Sequence, residues 1–245
     1  MTAPPSLFAL NPAIDRAAVR AALARDRFVQ VDNVLLPQAA DTLWQILREA
    51  TPFGLAWAGE GAPTGTMVRP EQLRQMSPQA KAAMGNGAAA AARGGYFAFL
   101  YGQYPLAEAS REQWHPGHPL YPLFEEINGP EALGFAREVS GIEALCVADA
   151  QATLYGPGHF LTEHDDFVAS EGRRLAYVLN MTRDWRPDWG GYLNILDARG
   201  DIVAGLMPRF NCLNLFTVPL RHNVGMVPQF APLGRYAITG WFRDS

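Results

Sequence analysis

A single lysine, Lys81, and two cysteines, Cys146 and Cys212, are all that the 245 residues hold of those two types. Schiff-base or phosphate-loop chemistry would have to use Lys81, which lies in S-P-Q-A-K-A-A-M-G-N-G, a stretch without a phosphate-binding pattern. Both cysteines have apolar neighbours (E-A-L-C-V-A and F-N-C-L-N-L) and read as small buried hydrophobes rather than a disulfide pair or thiolate ligands, which points to a reducing compartment. No apolar run is long enough to span a bilayer, and M-T-A-P-P-S-L-F-A-L-N-P has no basic segment ahead of an apolar core, so the expected location is the cytoplasm. With a formal net charge of -4 the chain lacks the basic face that nucleic-acid binders carry. What is present, 49% hydrophobic and 18% charged residues, describes a globular chain long enough to bury one sizeable β-rich domain over 1–245.

The first part, 1–141, is helix-rich. Ala17 to Ala24 reads as a helix, Phe28 to Val31 with Val34 and Leu35 as a short strand, and Ala40, Leu43, Trp44 and Leu47 form one apolar helical face behind Pro37. Residues 58–94 are rich in Gly, Pro and Ala and read as a loop with a short helix, either a lid or disordered. Gly95 to Tyr104 alternates as a strand with an aromatic face, which serves either core packing or, through Tyr101 or Tyr104, a substrate cleft. Helix signals return from Pro122 to Ser140. After Ile142 about eight short β-like runs separated by turns suggest a double-sheet jelly roll. The expected class is α+β, a double-stranded β-helix with N-terminal buttressing helices and its core over 142–245.

The chemistry concentrates at T-E-H-D-D-F, residues 162–167. On a strand, alternate side chains share a face, so His164 and Asp166 point together and Asp165 points away. A pair is weak evidence for a metal, and a third ligand must come from elsewhere. His159 is offset by five beside a P-G turn, His115 and His118 lie in a distant Pro/Gly loop, and His222 follows a strand and a turn. Two histidines and one carboxylate make the facial triad that holds Fe(II) with coordination positions left open. Thirteen residues after His222, Arg235 shares a strand face with Ala237 and Thr239. A guanidinium in an apolar strand is costly without an anion, and its planar fork suits a carboxylate. The partner is either an internal acid or a ligand.

Y-G-P-G-H-F-L-T-E-H-D-D, R-R-L-A-Y-V-L-N-M-T-R-D-W-R-P-D-W-G-G-Y-L-N-I, R-H-N-V and G-R-Y-A-I-T-G-W-F together resemble the Fe(II)- and 2-oxoglutarate-dependent dioxygenases of the prolyl-hydroxylase-like branch. R-Y-A-I-T is similar to the matching strand of hypoxia-factor prolyl hydroxylases, and H-D-D with R-R-L-A-Y-V-L-N to ribosomal-protein prolyl hydroxylases. The resemblance implies iron on His164, Asp166 and His222. It also implies 2-oxoglutarate on Arg235 with Tyr155 and Thr239 assisting, O2 as co-substrate, and ascorbate as reductant. A tyrosine often found just before the L-N of the strand is shifted here, with Val178 in its place and Tyr177 before it. The implied reaction hydroxylates a C–H bond with succinate and CO2 as co-products. The substrate that the resemblance implies is a prolyl residue of a protein, with a ribosomal protein among the candidates, and the alternative is a free amino acid or small metabolite. A non-catalytic jelly-roll module is the third reading. Trp185, Trp189, Arg173 and Arg174 are expected near the rim.

Overall fold

The computed structural model describes residues 6–59 and 62–245; residues 1–5 of the N-terminal segment and 60–61 of the 58–94 stretch lie outside the described residues. Helix α1 (Arg16–Asp26) starts where the Asp15 carboxylate accepts from the Ala18 amide, and β1 (Phe28–Asp32) follows. Helix α2 (Pro37–Gln45) carries its proline in the first turn and runs on into a π-turn, Ile46–Ala50; Ala40, Leu43 and Leu47 are fully buried, as the spacing predicts. The stretch expected as a loop instead forms β2 (Gly54–Gly59), β3 (Ala62–Val68), α3 (Pro70–Gln75) and α4 (Pro78–Arg93). Pro70 and Pro78 occupy helix starts, Gly59 sits at a close approach to α4, and the Ala-rich run is good helix sequence once Ser77 caps it, even with Gly85 and Gly87 inside it. The aromatic strand is β4 (Phe99–Pro105), then come α5 (Leu106–Arg111), α6 (Tyr121–Ile127) and α7 (Pro130–Ser140).

The remaining strands are β5 (Val147–Ala148), β6 (Gln151–Tyr155), β7 (Phe160–His164), β8 (Arg173–Asn180), β9 (Leu193–Leu196), β10 (Ile202–Leu206), β11 (Cys212–Thr217), β12 (His222–Val224) and β13 (Arg235–Arg243). They pair antiparallel in the order β1-β11-β8-β13-β6-β4-β7-β12-β9-β10, a nearly closed double-stranded β-helix, and β2 and β3 extend it beyond β4. Two strands of the helix-rich part, β1 and β4, are thus members of the barrel sheet. Period-2 alternation sorts the side chains: on β8, Leu175, Tyr177 and Leu179 join the helix-side core, whereas Ala176 and Val178 face the barrel interior. Ile238 and Phe242 of β13 go to the helices, and Arg235 and Trp241 border the interior cavity. Among the described residues no helix is long and apolar enough to cross a membrane.

Gly240 of β13 marks the tightest approach. A Cβ there would stand 2.0 Å from the Asp149 carbonyl oxygen, the same atom that accepts from the Tyr177 hydroxyl at 2.7 Å. Backbone cannot yield as a flexible side chain can, so Gly240→Ala is expected to cost about 3 kcal/mol. The corresponding fall in Tm is roughly 6–12 °C by differential scanning calorimetry.

Candidate metal and cosubstrate site

β7 ends at His164, and β12 begins at His222, directly opposite it in the antiparallel register. Asp166 lies past the end of β7, on a turn with left-handed backbone, φ 63°. The turn, rather than the strand alternation expected from the sequence, brings its carboxylate beside His164. Asp165 is exposed and accepts from the Phe167 amide at 3.1 Å, shaping that turn.

The three side chains converge. Asp166 Oδ1 is 3.3 Å from His164 Nε2, and Oδ2 is 3.5 Å from His222 Nε2. One ligand atom from each residue can be chosen so that all lie within 4.8 Å of one another. Each imidazole donates its Nδ1–H to a backbone carbonyl, His164 to Thr162 at 3.0 Å and His222 to Leu220 at 2.7 Å. That fixes both tautomers and leaves both Nε2 lone pairs aimed at the same point as the carboxylate. Burial, followed by the neighbouring His164, pushes His222 down to about 4, so it is a neutral ligand at physiological pH. Burial alone would raise Asp166. Hydrogen bonding to His164, the two imidazoles and the Trp241 indole outweigh it and hold the carboxyl below its ordinary range. Two imidazoles and one carboxylate on one side of a point are a donor set for a divalent cation with the other side open.

The triad lines a cavity of about 580 Å³ that also contains Tyr101, Tyr155, Arg235 and Thr239. Arg235 is 2% exposed, and its one side-chain bond goes from Nη2 to Asn180 Oδ1 at 3.2 Å. Among the described residues, Nε and Nη1 have no partner. Burial lowers the guanidinium to about 10, which still leaves it charged at neutral pH. A buried cation with two of its three nitrogens idle is expensive unless an anion joins it; no internal acid pairs with it among the described residues, and a ligand carboxylate fits. The Arg235 guanidinium carbon is 5.3 Å from the centre of the Tyr155 ring. Thr239 borders the same cavity and accepts from Gln151 Nε2 at 3.2 Å, which leaves its own O–H free to donate.

The sequence D-W-G-G acquires a packing role. Gly190 (φ 59°, ψ -143°) and Gly191 (φ 66°) have backbones that suit glycine, and a Cβ on Gly191 would press on Trp185 and Arg235 at 3.3–3.5 Å. Trp185, expected on the rim, is instead buried against this corner, with its indole N–H on the Gly190 carbonyl at 3.1 Å. Arg173 borders the cavity 3.8 Å over the Trp241 ring, while Arg174 points outward to Asp244.

The other histidines stay apart. His115 bridges Glu71 and Tyr104, His118 bonds to the Ala50 carbonyl, and His159 to the Leu154 carbonyl. Tyr104 belongs to that cluster, so of the two candidate cleft tyrosines only Tyr101 reaches the cavity. Gln103, Gln151 and Asn180 were missed by sequence reasoning; the only signal was the strand alternation that puts the first two on the Tyr101 and Tyr155 faces.

Residues 150–243 match the model of the 2OG-Fe(II) oxygenase superfamily. Prolyl 3-hydroxylase OGFOD1 of Xenopus laevis is 33% identical over 140 residues, 54% of this chain and 26% of that protein. The Mus musculus protein of the same name is 35% identical over 112 residues, 43% of this chain and 20% of its own length. The matched stretch therefore spans about a quarter or less of these relatives. A prolyl-4-hydroxylase from Pseudomonas putida superposes with a TM-score of 0.58 at 20% identity, covering 93% of this chain and 98% of its own. A Trichoplax adhaerens prolyl hydroxylase, solved with a hypoxia inducible factor peptide, gives 0.59 at 14% identity over 94% of this chain and 89% of its own. The structural likenesses show the shared fold, and the stretch that is similar to the 2OG-Fe(II) oxygenase superfamily, residues 150–243, covers the strands that bear the metal-ligand geometry.

Proposed function

We propose that this chain is an Fe(II)- and 2-oxoglutarate-dependent dioxygenase that hydroxylates a C–H bond of a prolyl residue in a protein. The observation that carries this reading is one cavity holding both a convergent two-histidine, one-carboxylate donor set and a buried guanidinium without an anion. The prolyl assignment is supported by the names of the OGFOD1 relatives, and by the exposed Phe97, Phe167 and Val168 at the cavity edge, an apolar rim suited to a polypeptide segment. Because β1 and β4 pair within the barrel sheet, residues 1–245 are read as one domain.

In this reading His164, Asp166 and His222 hold the metal, and Arg235 holds the distal carboxylate of 2-oxoglutarate, with Tyr155 and Thr239 beside it. Iron, when bound, supplies oxygen activation coupled to decarboxylation of the cosubstrate to succinate and CO2. The chain's contribution is positional. Thr162 and Leu220 carbonyls fix the imidazoles, Asn180 steadies the guanidinium, and Leu193, Phe216 and Val224 keep water from the cavity wall.

Purified protein with Fe(II) is expected to turn 2-oxoglutarate into succinate, and His164→Ala to lose both turnover and metal content. Intact-mass comparison of cellular proteins with and without the gene should reveal a target that gains about 16 Da, one oxygen atom. A metabolite that shifts while no protein does would move the assignment to a small-molecule hydroxylase. Absence of 2-oxoglutarate binding, with metal content indifferent to His164→Ala, would remove the oxygenase reading.

A further inference from the structure

Strands β2, β4 and β6 have a second face. Leu55, Gly102 and Leu154 stand side by side across them, Leu55 paired with Gly102 and Gly102 with Leu154, and Leu100 lies on the same side of β4. Tyr101 and Tyr155, one position on, face the opposite way into the metal cavity. On the outer side Phe53, Leu73 of α3, Lys81 of α4 and His159 complete a separate cavity of about 370 Å³, and no residue lines both. Its floor is low because position 102 is glycine: a Cβ there would stand 3.1 Å from the Leu154 Cβ and 3.5 Å from that of Phe53.

The walls are apolar and the rim is basic. Phe53, Leu55, Leu73, Leu100 and Leu154 are each only half-buried, so apolar surface is left facing the hollow. The titratable groups among the lining residues are Lys81 and His159, with no acid beside them. Lys81 makes no ion pair among the described residues. Burial holds the His159 imidazole below its ordinary value, so Lys81 is the one positive charge at neutral pH. His159 Nδ1 is taken up by the Gly156 amide at 3.1 Å and the Leu154 carbonyl at 3.2 Å, which leaves Nε2 for an occupant. One ammonium above an apolar concavity matches an apolar body with a single negative charge; a second negative charge would go unpaired, and a cation would be repelled.

We propose that this hollow is a second ligand site, for a medium-chain monocarboxylate whose chain lies on Leu55, Leu100 and Leu154 and whose carboxylate pairs with Lys81. The site stands apart from the metal cavity, and the inference does not depend on the oxygenase reading.

Isothermal titration of octanoate into the full chain tests it, in the Mn(II)-loaded form with and without 2-oxoglutarate. Octanoate is expected to bind equally in both. Lys81→Met keeps an apolar stem and should weaken octanoate about fivefold, the upper range for an exposed ion pair. Octan-1-ol, which has the chain without the charge, should bind wild type and Lys81→Met alike. Leu73→Trp, which fills the hollow from its rim, should abolish binding of both ligands, with Tm of both variants equal to that of wild type. Wild type that binds no octanoate, or an octanoate affinity indifferent to Lys81→Met, overturns the assignment. So does loss of octanoate binding on adding 2-oxoglutarate, which would place the fatty acid in the metal cavity.

Discussion

Arg235→Met is expected to yield a folded protein that binds divalent metal with normal affinity and has lost 2-oxoglutarate. The guanidinium is buried and charged, and two of its three nitrogens are idle. Removing one partner of a desolvated ion pair costs about 3–5 kcal/mol, so Kd should rise by two to three powers of ten or more. The sign for stability is opposite. Burial lowers the guanidinium from its ordinary value to about 10, which corresponds to about 3 kcal/mol against the charged state in the ligand-free fold. In that window the unfolded chain binds the extra proton, so the cost is complete at neutral pH and is relieved only as pH climbs from about 10 toward that ordinary value. Methionine removes the charge and fills most of the volume, but it strands Asn180 Oδ1, which offsets part of the gain. Ligand-free Arg235→Met should therefore melt at or a few degrees above wild type, roughly 2–6 °C. Saturating 2-oxoglutarate should raise Tm of wild type and leave the variant unmoved. A variant that is still stabilised by 2-oxoglutarate would take Arg235 out of the site.

The barrel strands were legible because they alternate. R-R-L-A-Y-V-L-N and R-Y-A-I-T-G-W-F write their two faces into successive residues, one set for the helices and one for the cavity. Arg235 could be placed from the same pattern, and His222 was singled out by its position after a strand and a turn. Residues 58–94 could not, because Gly and Pro there signal both turns and helix starts, and only the tertiary partner decides: Gly59 allows β2 to approach α4 at Ala88. Trp185 gave no sign of burial since its corner is made by two left-handed glycines and a residue 50 positions away, Arg235. Tyr101 was visible as one of two aromatic candidates, but its stacking on Tyr155 depends on strand registers that no local pattern encodes.

Asp166→Asn is expected to lower metal affinity by at least about a hundredfold, the upper range for losing even an outer partner of a metal ligand, whereas Asp165→Asn changes it less than about twofold. The two adjacent acids differ in what they face. Asp166 has a 7% exposed side chain with one carboxylate oxygen toward each histidine, while exposed Asp165 accepts from the Phe167 amide. Asparagine is the informative replacement because position 166 has φ 63°. Asn tolerates the left-handed region, whereas alanine adds about 1–2 kcal/mol of backbone cost to the loss of the ligand. Asn at 166 keeps the size and one oxygen of the side chain and replaces the other oxygen with an NH2 donor that cannot ligate, so a loss reports on the carboxylate itself. At 165, asparagine preserves the turn through its side-chain carbonyl. Titration with Mn(II) or Co(II) at neutral pH reads both, and circular dichroism of the metal-free proteins should find the folds equal. Equal affinities for wild type and Asp166→Asn would mean that the histidines bind metal without the carboxylate, and a loss at Asp165→Asn instead would place the third ligand one residue earlier. The turn geometry predicts neither, because a left-handed residue immediately after the exposed Asp165 turns the chain so that only the Asp166 side chain returns to the end of β7.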